Sequence, residues 1–312
     1  MKILYIDPYS NTPYSKQYLY YEGLYHALCK SNDVFLYRDC FTNYNKIKKE
    51  IPFTPDIVLF GLSWFEKHKY FQKIKNLDFF KICYFNKPSV NYKDKINFCN
   101  VNEIDRIITP HTFYKKLEKE SGRKVELFPY GFDPNIFFPR HQIEKEYDIG
   151  FSGALHGEHN YPGGAFKNPN IRLKIRNILY QIKNLKYYWK SSDNYETARI
   201  HDINEYANKL NASKSWIATQ AAYGDITPRY FEVMGSGSLL FCEQNPTEYK
   251  DIFINGMNCI EFNNSLDDFS LKLKKLLNNG SEIEMIQKNA IFDAQNKHTW
   301  DKRSEQLIKL IN

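Results

Sequence analysis

Short apolar runs alternate with segments of helical periodicity along the whole chain, and this alternation restricts the possible fold more than any other feature of the sequence. In the first half, Lys2 to Asp7, Asp33 to Tyr37, Asp56 to Gly61, Lys81 to Asn86, Asp105 to Thr109 and Val125 to Tyr130 read as strands. Between them, Lys16 to Lys30 carries Leu19, Leu24 and Leu28 at helical spacing, and Pro110 to Glu120 predicts a helix entered from a proline. Strands separated by helices cannot pair as tight hairpins. They need crossover connections, which make the sheet parallel and the architecture doubly wound α/β. Ligands of such folds bind beyond the carboxyl ends of the strands.

Around Phe132 to His141 the pattern breaks, with Asp133, Pro134 and Pro139 in a short irregular stretch that reads as a boundary and a hinge. The alternation then restarts. Tyr147 to Ser152, Lys186 to Trp189, Trp216 to Thr219, Ser238 to Cys242 and Asn258 to Phe262 are expected as strands, and the chain beyond Leu266 reads as helical. Two Rossmann-like domains in tandem follow, 1–138 and 139–312. The amphipathic final helix near Trp300 to Leu310 is a candidate to pack back on the first domain. A length of 312 residues gives each domain enough chain for its own core.

Composition narrows the function classes. With 42% hydrophobic and 25% charged residues the chain is neither disordered nor fibrous. No run reaches the roughly 20 apolar residues of a membrane span, and no signal-peptide pattern precedes the first strand, so the expected location is cytoplasmic, with peripheral membrane contact left open. The six cysteines form no CxxC pair, which argues for reduced, buried thiols over a disulfide framework or a zinc site. The formal charge of +7 gathers partly in Lys46, Lys48, Lys49 and in Lys67, Lys69, Lys73, Lys75. Solvated helix faces account for these more readily than nucleic acid does, because no nucleic-acid-binding motif accompanies them.

The strongest local signal is Thr227-Pro228-Arg229-Tyr230-Phe231-Glu232, which leads through Gly235 and Gly237 into the apolar run Ser238 to Cys242. Thr227 suits an N-cap and Pro228 the first helical position. A helix starting there would aim its free N–H groups and positive dipole end at an anion. Arg229 could add a charge-assisted bond to a diphosphate, and Glu232 could accept from the hydroxyls of a ribose. Taken in isolation, the two side chains could equally form an i, i+3 ion pair on a surface helix.

Three segments, in order, resemble the GT-B glycosyltransferases, in particular the group-1 C-terminal domain and its CgeB-like relatives. Arg229 to Gly237 is similar to that family's Arg-x-x-Glu-x-x-x-x-Gly signature, whose Glu binds the donor ribose. Phe128-Pro-Tyr-Gly-Phe-Asp-Pro-Asn-Ile-Phe-Phe-Pro139 is similar to its interdomain segment. Tyr147-Asp-Ile-Gly-Phe-Ser-Gly153 is similar to the first strand of its donor-binding domain. The resemblance implies two Rossmann-like domains facing each other across a cleft, with C-terminal helices crossing back. It also implies a sugar transferred from a nucleoside diphosphate, UDP or GDP being expected, to a glycan, lipid-linked or other small acceptor, with retention and with neither metal nor cofactor. The sequence has no Asp-x-Asp motif. Many retaining members carry a second acidic residue eight positions before the ribose-binding Glu. Here that slot is Gly224, with Asp225 beside it as a substitute or as part of a turn.

The donor-binding candidates are therefore Ser152, Gly153, Arg172, Tyr223, Thr227, Arg229, Tyr230 and Glu232. Arg172 and the neighbouring Arg176 suit a solvated helix face as well as they suit a phosphate. Catalytic candidates are Asp7, at the end of the first strand, His111, after the fifth, His156 in the irregular Gly153 to Pro169 loop (with His159 nearby), and Asp225. Each of the acid and base candidates could also serve as a cap or turn residue. Trp64 and Tyr223 are aromatics placed where a sugar could stack. Three other readings use the same features: a transferase acting on DNA bases, a nucleotide-sugar epimerase, and a non-catalytic two-domain binding protein.

Overall fold

A computed structural model describes residues 1–6, 22–37, 44–62, 78–86, 91–155, 170–192, 197, 198, 200–221 and 224–311. The described residues gather into two compact units, Met1–Gly131 with Trp300–Asn312, and Phe132–Thr299.

The first unit runs β1 (Lys2–Ile6), α1 (Glu22–Cys29), β2 (Asp33–Tyr37), α2 (Tyr44–Glu50), β3 (Ile57–Leu62), β4 (Phe80–Phe85), α3 (Tyr92–Val101), β5 (Arg106–Thr109), α4 (Tyr114–Ser121) and β6 (Lys124–Leu127). Its strands form one parallel sheet in the order β2-β1-β3-β4-β5-β6. Alternation along each strand divides the apolar residues between two faces. Leu4, Ile6, Val58, Phe60, Cys83 and Ile107 meet Ile47 of α2, Phe98 of α3 and Leu117 of α4 in one buried cluster.

The helix expected from Pro110 starts at Tyr114 instead. The Thr109 hydroxyl accepts the His111 N–H at 3.3 Å and the His111 carbonyl accepts the Tyr114 N–H, so the residues after Pro110 form a turn before α4 begins. The chain's last helix belongs to this unit. Buried Arg303 donates through Nε to the carbonyls of Pro129 and Tyr130 at 2.8 and 3.1 Å, and Lys30 pairs with Asp301 at 2.7 Å. A Cβ on Gly23 of α1 would lie 2.0 Å from the Trp300 indole, so only glycine admits that ring.

The second unit comprises β7 (Tyr147–Ala154), α5 (Ile171–Gln181), β8 (Tyr187–Ser192), α6 (Ile203–Asn211), β9 (Ser213–Ala218), α7 (Pro228–Gly235), β10 (Leu239–Glu243), β11 (Ile260–Phe262), α8 (Phe269–Asn278) and α9 (Gly280–Lys297). The helix Trp300–Ile311, α10, follows and returns to the first unit. The second sheet is also parallel, ordered β11-β10-β9-β7-β8. Ile149 and Phe151 face a core made with Ile171, Ile175 and Leu179 of α5 and Phe269 and Leu273 of α8. On the opposite face Gly150 lies beside its register partner Trp216, where a Cβ would come within 2.2 Å of the indole. The missing side chain makes room for the largest fully buried residue of the unit.

Both sheets share one winding. From their first strand the chain moves outward to the second, then crosses back to place the third on the other side. The reversal falls between β1 and β3 in one sheet and between β7 and β9 in the other. In doubly wound sheets ligands bind at such a reversal, beyond the carboxyl ends of the strands. Cys83, Cys99, Cys242 and Cys259 are buried as expected, but Cys29 is exposed near the end of α1, and Cys40 lies outside the described residues.

Candidate active site

At the reversal point of the second sheet, β7 ends in Ser152, Gly153 and Ala154. Ser152 is buried, and Gly153 has φ +145°, a conformation that side-chain-bearing residues rarely adopt. Two arginines converge on this strand end. Arg172, in the first turn of α5, donates from Nε to the Thr219 hydroxyl at 2.8 Å and from a terminal nitrogen to the Ala154 carbonyl at 2.6 Å, so it ties the ends of β7 and β9 together. Arg229, in the first turn of α7, lies directly over Gly153. A Cβ there would stand 3.4 and 3.6 Å from its two terminal nitrogens.

The guanidinium carbons of Arg172 and Arg229 are 5.9 and 5.8 Å from the centre of the same Phe151 ring, which is itself stacked on Trp189 at 4.3 Å. Two like charges gathered around one strand end favour an anion there.

Helix α7 begins as its sequence predicts, with extended Thr227 at the N-cap and Pro228 first. The Thr227 hydroxyl, however, makes no capping bond. Its buried oxygen and the buried Arg229 Nε both lack a hydrogen-bond partner among the described residues. One turn along, Glu232 accepts a hydrogen bond from the Tyr206 hydroxyl of α6 at 3.2 Å. The N-cap and the first five residues of the helix therefore present an unpartnered hydroxyl, a cation and a carboxylate.

The other candidates are more dispersed. Tyr230 is fully buried, its ring against Phe253 at 5.3 Å and its hydroxyl donating to the Ala218 carbonyl at 3.4 Å. Burial holds that phenol well above its ordinary range. This is the position of a core side chain. Asp225 is buried in the turn before α7, where its carbonyl accepts the Ala221 N–H at 2.8 Å and Gly224 beside it has φ +77°. His111, in the first unit, is buried and stacks on Phe113 at 5.4 Å. Asp7, Trp64, His156, His159 and Tyr223 lie outside the described residues. Sequence reasoning missed Thr219, Phe151 and Tyr206. The first two sit at strand ends and looked like core, and Tyr206 occupies the apolar face of α6 with Ala207 and Leu210.

Among the described residues no group of three or more His, Cys, Asp or Glu stands close enough together to hold a metal ion. Nor is any described helix long and apolar enough to cross a membrane.

A sequence model of the glycosyl transferase-like family matches residues 150–309, more than half of the chain and all of the site just described. The chain belongs to that family. It is thus an enzyme of the glycosyltransferase class, and its two parallel sheets match those of solved GT-B structures. Sucrose-phosphate synthase from Thermosynechococcus elongatus superposes with a TM-score of 0.62, at 9% identity, over 99% of this chain and 98% of its own. HepE from Anabaena, solved with UDP and glucose, gives 0.60 at 11% identity over 100% and 99%. The N-terminal domain of Candida albicans trehalose-6-phosphate phosphatase gives 0.63 at 10% identity over 99% and 96%. No curated protein sequence matches the glycosyltransferase.

Proposed function

We propose that the second unit binds a nucleoside diphosphate sugar, with UDP as the nucleotide, and that the enzyme transfers its sugar to a hydroxyl of a glycan or lipid-linked acceptor. The observation that carries this reading is the convergence of Arg172 and Arg229 on side-chain-free Gly153 at the switch point of the sheet, with Glu232 one turn further along α7. The diphosphate lies against the backbone of Gly153 and the start of α7, between the guanidinium groups. Glu232 accepts from the ribose hydroxyls. The choice of UDP is supported by HepE, solved with UDP and with UDP-glucose, and by the pneumococcal O-GlcNAc transferase GtfA, solved with UDP and GlcNAc.

In the reaction the bond from the sugar C1 to the diphosphate oxygen breaks, the acceptor oxygen bonds to C1, and the acceptor loses a proton. Negative charge builds on the departing diphosphate. The fixed cations Arg172 and Arg229 are placed to stabilise it without reorganising, and they supply the positive charge that a metal would otherwise bring. Retention of the anomeric configuration is part of this reading, supported by the likeness of Arg229 to Gly237 to the family signature. Attack then comes from the side of the leaving group, whose own oxygen can take the acceptor proton. The first unit supplies the acceptor site.

Calorimetry and thermal shift with UDP, GDP and ADP test the reading on the wild type and on Glu232→Ala. A ligand that binds only the folded state must raise its melting temperature. UDP should stabilise the wild type selectively and bind about tenfold more weakly to Glu232→Ala, the loss expected for hydrogen bonds to a charged group. Failure of every nucleoside diphosphate to bind would overturn the proposal.

A further inference from the structure

Tyr206 is held from three sides. Its ring meets Trp216 edge-on at 6.0 Å and Phe137 at 5.8 Å, and its hydroxyl donates to Glu232 Oε2 at 3.2 Å. Trp216 in turn occupies the space left by Gly150. A chain of contacts thus runs from the middle of β7 to the carboxylate: Gly150 admits Trp216, Trp216 seats Tyr206, and Tyr206 reaches Glu232. Burial first, and then the charge of Glu232, drive the phenol far above its ordinary range, while Arg229 draws it back. The hydroxyl therefore keeps its proton and must donate it to the carboxylate. The terminal torsion of a glutamate is broad, and the bond from Tyr206 narrows it.

We propose that Tyr206 is a positioning residue of the nucleotide site, fixing the Glu232 carboxylate in the orientation that receives the ribose hydroxyls. This rests on the reading of Glu232 as the ribose acceptor. One carboxylate oxygen is anchored to Tyr206 and the plane of the group is set before nucleotide arrives, so the ordering is complete in the free enzyme. The contact is long for an O–H···O bond, which places the expected effect below that of a well-formed bond to a charged group.

Tyr206→Phe keeps the ring and its packing and removes only the hydroxyl. Without nucleotide its melting temperature should stay within about 2 °C of the wild type, whereas its affinity for UDP should fall about fivefold. In a Glu232→Ala background the same substitution should change UDP affinity no further, because the group it orients is gone. Unchanged UDP affinity in Tyr206→Phe, with the wild type binding UDP, overturns the positioning role and leaves the nucleotide site standing. So does an equal loss in both backgrounds, which would mean an effect through Arg229, the hydroxyl's other polar neighbour, or through packing. A wild type that binds no UDP overturns the nucleotide site and the positioning role together.

Discussion

The two sheets are wound alike and differ in where they put their cations. In the first unit, Lys95 of α3 is buried completely, its ammonium donating to the Asn86 carbonyl at 2.6 Å and lying 5.3 Å from the centre of the Phe85 ring. In the second, Arg172 and Arg229 are only partly buried and stand at the carboxyl ends of β7 and β9, around a glycine. A charge sealed in a core against a carbonyl serves the fold and meets no solute. Charges at a switch point, with a hydroxyl and a guanidinium nitrogen lacking partners among the described residues, stand where a solute can reach them. Family membership covers only the second arrangement.

The largest expected effect sharpens the structural side of this contrast. Burial brings the Lys95 ammonium down from the ordinary 10.5 to about 7. The unfolded chain holds that proton up to about pH 10.5 and the folded chain only to about pH 7, so between those values the unfolded state binds more protons and stability must rise with pH. Below pH 7 the folded protein carries the full cost of the buried charge. Measured by urea unfolding, wild type should therefore gain on Lys95→Met by several kcal/mol, on the order of 4, as pH is raised from about 7 towards 10. A gap that does not change with pH would overturn the cost assigned to burying that charge. UDP affinity should be the same in Lys95→Met and wild type.

Arg229→Met should break the other side. Removing a guanidinium that meets a diphosphate costs about 2–3 kcal/mol, or roughly a hundredfold in UDP affinity by calorimetry. Stability without nucleotide should hold or rise slightly, because the repulsion between the two arginines is relieved. An Arg229→Met variant that binds UDP normally would return Arg229 to the rank of Lys95, a cation with a structural task. Gly153→Ala should act on fold and ligand together. The strained φ costs about 1–2 kcal/mol of stability, and the added methyl group crowds the guanidinium and weakens UDP binding by about tenfold. Wild-type behaviour on both counts would show that the diphosphate does not approach Gly153.

Much of this contrast can be read from the sequence, and the missing part has a consistent cause. The eleven strands among the described residues lie where the apolar runs put them, with ends shifted by a few residues; the central ones, buried on both faces, leave the clearest hydrophobic signature. The start of α7 and the spacing of Arg229 and Glu232 on it are local, and they too are legible. What escapes is every relation between distant positions. Tyr206 precedes Glu232 by 26 residues and Arg172 precedes Thr219 by 47, and nothing at either end announces the partner. Lys95 looks like one more charge on a polar helix, since its burial depends on how α3 lies across β4. Pro110 misled because a proline suits a turn as well as a helix start, and the Thr109 hydroxyl favours the turn.

Thr227 gives the smallest effect and the finest test of the comparison. A threonine at an N-cap ordinarily contributes about 0.5–2 kcal/mol through the bond its hydroxyl accepts, and that bond is missing here. The buried oxygen has no partner among the described residues, so its desolvation is uncompensated. Thr227→Val keeps the shape and removes the polar atom. Free of nucleotide, the variant should be at least as stable as the wild type, in contrast to the usual loss at a cap. With UDP present it should bind about two- to threefold more weakly if the hydroxyl donates to a phosphate oxygen, as a net hydrogen bond of the ordinary kind would require. A clear loss of stability without ligand would mean that Thr227 does cap α7, and the strand end would then have one feature fewer that distinguishes it from a structural turn.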